Sequence, residues 1–146
     1  MTERVRLLRV FLQEARFAEK PPAEVPAPRR GEVLGFGTQL EVSRPAALEL
    51  VVALTFSGDE GLPYRFLVTY AAGYELDGSV PAAERDEAWL DAAATRAPAL
   101  LYPYVRELVA NLTARRGDLP LLLPEIPGGL DFSGSELRIP PPPDPA

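Results

Sequence analysis

The carboxylates come closest to a chemistry-bearing cluster in this sequence. Glu84, Asp86, Glu87 and Asp91 fall within one short stretch. Acids held this close can divide proton-transfer work, one kept protonated as the acid and its neighbour ionised as the base. Arg85 sits among them, and the surrounding residues 82 to 95 are rich in helix formers, so the cluster reads as a solvated helix face. The glycines of "GEVLGFGTQL" are a second candidate. A phosphate loop would need a following G-K-[ST] and a strand-to-helix context, and neither is present. The chain has no histidine and no cysteine, which removes Ser-His triads, thiol nucleophiles, disulfides and zinc sites built from those ligands. No D-x-D or EF-hand spacing offers a carboxylate site for magnesium or calcium. The expectation is a protein that is not an enzyme and holds no metal or cofactor.

Bulk properties narrow the class further. The formal net charge is −6 over 146 residues, whereas binding to phosphate backbones needs a concentrated basic surface. Arg29-Arg30 and Arg115-Arg116 are only pairs, one in a loop and one at a helix C-terminus, so nucleic acid is not an expected partner. No run of about 18 consecutive apolar residues exists, so stable membrane insertion is not expected either. The opening "MTERVRLLRVFLQEARF" is charged throughout and lacks the apolar core of a signal peptide, which points to the cytoplasm.

Four segments have the alternation of strands. In residues 4–17, Leu8, Val10 and Leu12 share one face, with Arg9, Phe11 and Gln13 on the other. Val5 and Leu7 are out of step with that face, as a β-bulge would make them. "KPPAEVPAPRRGE" is a loop by composition. Residues 33–42 alternate again, with Phe36, Thr38, Leu40 and Val42 together, and residues 47–56 do so most clearly, through Leu48, Leu50, Val52, Leu54 and Phe56. "SGDEGLP" reads as a turn in which Gly58 and Gly61 can take positive φ. A fourth strand from Tyr64 to about Leu76 places Phe66, Val68 and Tyr70 together. Consecutive strands joined by short turns make an antiparallel meander or Greek key.

One face of such a sheet needs a cover, and helices supply it. A short helix over 82–95 carries Trp89 and Leu90 as apolar anchors. Pro98 then opens a main helix whose stripe is Leu101, Tyr104, Val105, Leu108 and Leu112. Pro103 is expected inside its first turn, where the missing N–H costs no bond. Gly117 is the expected stop. Beyond it, "DLPLLLPEIPGG" must be extended, because Pro120, Pro124 and Pro127 forbid helix. The expected class is α+β: a four-stranded antiparallel sheet with one long helix and a short preceding helix on one face. Residues 1–132 form the expected domain, and 133–146 a proline-rich, flexible tail.

The segment "APALLYPYVRELVANLTARRGDLPLLLPEIPGGLDF", residues 97–132, resembles the signature region of the SecB family of protein-export chaperones. The matching element opens a long helix with Pro98, Leu100, Leu101, Tyr102, Pro103, Tyr104, Arg106 and Glu107. Gly117 follows, then Leu121, Leu123 and Pro124. "RVFLQEARFAEKP" and "YRFLVTYAAGYEL" are similar, less strongly, to the family's first and fourth strands.

The resemblance implies an ATP-independent holdase that binds unfolded polypeptides along apolar grooves and keeps preproteins competent for export. It also implies a homotetramer, assembled as a dimer of dimers. Groove candidates are Phe11, Phe17, Phe36, Phe66, Tyr74, Leu121, Leu123 and Ile126. Tyr102, Val105, Leu108, Val109 and Leu112 are candidates for the oligomer interface. The family docks the SecA export motor on an acidic patch of the sheet. At the corresponding positions Glu14 and Leu67 fit, whereas Ala18 and Thr69 depart, with Glu19 the nearest acid to Ala18. A SecB-like chaperone or adaptor dedicated to a single client such as an antitoxin, without coupling to the motor, is the alternative expectation.

Overall fold

The computed structural model describes residues 4–21, 36–59, 61–115, 120–126, 130–134 and 137–143. Four strands, β1 (Val5–Glu19), β2 (Phe36–Ala46), β3 (Glu49–Gly58) and β4 (Tyr64–Leu76), form one antiparallel sheet in the order β1-β4-β3-β2. β2, β3 and β4 are joined by turns, while β1 reaches the far side of β4, which is Greek-key connectivity. The loop expected between β1 and β2, and the first residues expected of β2, lie outside the described residues.

The alternation in β3 sets the two faces. Leu50, Val52, Leu54 and Phe56 are buried beneath the helices, whereas Val51, Thr55 and Ser57 point to the open face. Across the helix-covered face the register runs Phe17↔Phe66, Gly58↔Phe66 and Phe36↔Gly58, a single cross-strand row at one end of the sheet. A Cβ on Gly58 would run into the Phe66 ring, so the glycine makes room for that ring. Gly61 alone among the described glycines has positive φ, at 76°, in the turn before β4.

β1 carries two bulges, between Leu7 and Arg9 and between Leu12 and Glu14. Leu8 and Gln13 are the extra residues, so Val5, Leu7, Val10 and Leu12 share the helix-covered face. Lys20, at the end of β1, pairs with Asp59 at 2.7 Å and donates to its carbonyl at 2.6 Å, which ties the β3–β4 turn to β1.

The helical layer differs from the expected pair of separate helices. Helix α1 (Ala82–Asp91) passes through a π-turn, residues 92–96, directly into α2 (Ala97–Ala114). Ala92, Ala93, Ala94 and Ala97 are buried here, and their small side chains allow close packing on the core. Pro98 therefore lies within a continuous helical path and cannot donate to the Ala94 carbonyl. The N–H of Phe132 supplies that bond instead, at 2.7 Å. Pro103 lies inside α2 rather than in a first turn, because the helical path begins at Ala82. The expected stop at Gly117 lies outside the described residues.

The buried stripe of α2 is Pro98, Leu101, Tyr102, Val105, Val109 and Thr113. It packs on β4 and β3. The stripe is turned from the expected one: Tyr104 is exposed, and Leu108 and Leu112 are half-buried.

Candidate functional site

After α2 the chain doubles back along it in extended form. The Leu121 N–H donates to the Thr113 hydroxyl at 2.7 Å, and Arg106 Nε donates to the Leu123 carbonyl at 3.0 Å. The Tyr102 hydroxyl donates to the Pro124 carbonyl at 2.6 Å. Burial holds the Tyr102 hydroxyl above its ordinary pKa of 10.0, keeping it a donor at neutral pH. Thr113, buried within α2, satisfies its own proton by donating to the Val109 carbonyl at 2.8 Å. Side chains of α2 thus replace the ladder partners that a proline-rich segment cannot recruit.

The aromatic residues gather at one end of the helix-covered face. Phe36 lies 5.6 Å from Phe56 and 6.2 Å from Phe66, ring centroid to centroid. Phe56 lies 5.9 Å from Tyr102, and Phe17 lies 5.2 Å from Tyr64. Phe17 and Phe36 are half-buried, so they present ring surface above the buried Phe66. Leu121 is half-buried and Ile126 exposed on the returning segment.

A second apolar surface lies along β1, at the margin of α2. Leu12 is 47% exposed and pairs across the strands with Tyr70, whose ring lies 5.5 Å from Tyr104. Tyr104 itself is 42% exposed. Leu7 and the half-buried Val10 extend this strip along the sheet margin. The edge of β1 is unpaired among the described strands.

The candidate groove residues therefore divide. Phe17, Phe36, Leu121 and Ile126 offer surface on the helix-covered side. Phe66, Tyr74 and Leu123 are core: Tyr74 lies under the Arg96 guanidinium, 5.4 Å from its ring, and Leu123 fills space beneath the returning segment. Phe11 faces the opposite side of the sheet, opposite Ala71 and beneath the Arg9 guanidinium at 4.8 Å. The bulges of β1 leave Phe11 out of phase with Phe17. Of the oligomer candidates, Tyr102, Val105 and Val109 are buried in the chain's own core, and Leu108 and Leu112 keep partial exposure. Tyr104, Leu12 and Leu7 supply the exposed apolar surface that sequence reasoning missed; the bulged phase of β1 was the signal for Leu7 and Leu12.

The open face brings Glu14 and Leu67 together, since Glu14 pairs with Thr69 and Arg16 with Leu67. It is not an acidic patch. Arg16 forms an ion pair with Glu14, Arg6 pairs with Glu75 at 3.3 Å, and Ala18 lies opposite Arg65. Glu19 pairs with Tyr64, which places it in the phase of the helix-covered face, so it does not stand in for Ala18. Among the described residues no group of three acidic side chains could hold a metal ion, and no helix is long and apolar enough to cross a membrane.

No family model matches the chain, and no curated protein matches it. Among solved structures, the Mycobacterium tuberculosis SecB-like chaperone Rv1957, in complex with a ChAD peptide from the Rv1956 HigA1 antitoxin, aligns with a TM-score of 0.61. The identity is 24%, over 84% of this chain and 91% of that one. A protein of unknown function from Streptococcus agalactiae aligns at TM-score 0.48 and 14% identity, over 83% of this chain and 97% of that one. The fold of this chain is that of the SecB-like chaperone.

Proposed function

We propose that the protein is an ATP-independent chaperone that holds non-native polypeptides on the apolar surface of its helix-covered side. The observation that carries this reading is the set of large apolar side chains left wholly or partly in solvent there: Phe17, Phe36, Leu121 and Ile126. A shallow apolar surface selects exposed hydrophobic segments rather than a sequence, which suits a binder of unfolded chains. The solved SecB-like relative holds an antitoxin peptide, which supports a polypeptide as the ligand.

The working unit is the expected domain of residues 1–132 together with residues 137–143, which pack on its core rather than forming a free tail. It acts in the cytoplasm as a homotetramer without nucleotide, metal or other cofactor. The exposed strip of Leu7, Leu12 and Tyr104 beside the open β1 edge supports assembly through that margin. Clients include preproteins in the general version of this reading. The dedicated version, with one client and no coupling to the SecA motor, is favoured by the open face, where Glu14 is paired with Arg16.

The test is light scattering from a chemically denatured, aggregation-prone protein diluted into buffer with and without this chain, no nucleotide added. Suppression near one tetramer per client supports a general holdase. Unchanged scattering with folded, assembled protein rules the general holdase out and leaves the single-client version.

A further inference from the structure

The last described stretch, residues 137–143, lies against the domain. Leu137 and Ile139 are half-buried against the core while Arg138 between them is exposed, the in-out alternation of an extended chain. Arg44 of β2 anchors it, donating from one terminal nitrogen to the Pro140 carbonyl at 3.2 Å and from the other to the Ala47 carbonyl at 2.7 Å. The same guanidinium lies 5.8 Å from the ring of Trp89, which is fully buried.

Two donors at this corner, Arg44 Nε and Trp89 Nε1, are buried and make no hydrogen bond among the described residues. The corner thus offers more hydrogen-bonding capacity than the segment uses. The segment is also chemically restricted. Pro140, Pro141, Pro142 and Pro143 have no N–H, so residues 140–143 accept bonds but donate none, and only Leu137, Arg138 and Ile139 keep backbone donors. The proline run from Pro140 cannot extend the sheet at the edge of β2, which an ordinary extended chain could do.

We propose that the Arg44–Trp89 corner is a binding subsite for extended polypeptide, occupied in cis by residues 137–140 as an exchangeable stand-in. Apolar contacts and the Pro140 carbonyl hold the segment, and the prolines from Pro140 onward keep the chain from continuing along β2 as a fifth strand. The displacing ligand is an extended apolar segment carrying both N–H and C=O groups; its identity as a chaperone client rests on the function proposed above.

The test compares the intact chain, a chain ending at Gly134, and a full-length chain carrying Leu137→Asp and Ile139→Asp. A labelled peptide of residues 133–146 is titrated into each, read by its anisotropy and by the emission of Trp89, the only tryptophan. Saturable binding is expected with the shortened chain and the double variant, about tenfold weaker binding with the intact chain, and loss on Arg44→Ala. Reduced, alkylated lactalbumin, a permanently unfolded probe, should displace the peptide and bind the shortened chain about tenfold more tightly than the intact one. Peptide that fails to bind, or binds all chains equally, overturns the inference whatever lactalbumin does. Lactalbumin that binds without displacing the peptide also overturns it and leaves the chaperone reading standing. Peptide binding as expected, with lactalbumin bound to no chain, supports the subsite and rejects the general chaperone reading.

Discussion

Replacing Leu123 by alanine should destabilise the protein by about 3 kcal/mol, although Leu123 belongs to no helix or strand. Burial is essentially complete, at 1% exposure. Removing a fully buried leucine costs about 2–5 kcal/mol, from lost transfer free energy and from the cavity left behind. The lower half of that range applies because an extended segment can settle into the gap more readily than a helix can. Three hydrogen bonds limit that settling, from Tyr102 to Pro124, from Arg106 to Leu123 and from Leu121 to Thr113. For a chain of 146 residues the loss corresponds to a fall in Tm of about 10 °C. The control is the adjacent Leu122, which is 72% exposed, and Leu122→Ala should stay within about 0.5 kcal/mol. Urea titration followed by Trp89 fluorescence gives both values. A Leu123→Ala loss below about 1 kcal/mol, or one equal to that of Leu122→Ala, would refute the docked, in-out arrangement of this segment.

Other consequences can be checked with the same protein. Leu12→Asp with Tyr104→Asp should reduce the assembly to smaller species in size-exclusion chromatography with light scattering, with helix content unchanged; an unaltered mass would contradict assembly through the β1 margin. Gly58→Ala should cost about 1–3 kcal/mol by urea titration, because its Cβ would meet the Phe66 ring. Stability should be flat from about pH 5 to 8, since there is no histidine, and should fall below about pH 4. Asp59 is held below its ordinary 3.8 by the Lys20 ammonium, Asp77 by the backbone and hydroxyl of Ser79, and Asp131 by those of Ser133. Their contribution is present above the unfolded value and is lost as pH falls through the lowered folded values. Thermal melts across pH 2–8 test this, and a midpoint unchanged at pH 3 would contradict it.

The faces of the sheet were legible wherever one side is fully buried. In β3, alternation alone places Leu50, Val52, Leu54 and Phe56 beneath the helices. β1 was half legible: Val5 and Leu7 announce a bulge, but the second extra residue, Gln13, leaves no mark in a run that is polar on both sides. The union of the two helices was hidden by Pro98, which by local rules begins a helix. What lets the helix continue through it is the π-turn over buried alanines and the remote N–H of Phe132. The buried face of α2 was read one step out of turn because Tyr102 and Tyr104, and Leu108 and Val109, are neighbours of similar character. Only packing decides which of each pair faces the sheet. Leu123 escaped for a related reason, since prolines exclude regular structure but say nothing of docking, and that docking depends on side chains of α2.

The central claim is that non-native chains bind on the helix-covered side of the sheet. Hydrogen–deuterium exchange with and without reduced, alkylated lactalbumin addresses it most directly. Added protection is expected in peptides containing Phe17, Phe36 and residues 120–126, with the central strand β3 unchanged. Protection confined to peptides that lack Phe17, Phe36 and residues 120–126, or no protection at saturating lactalbumin, would contradict it.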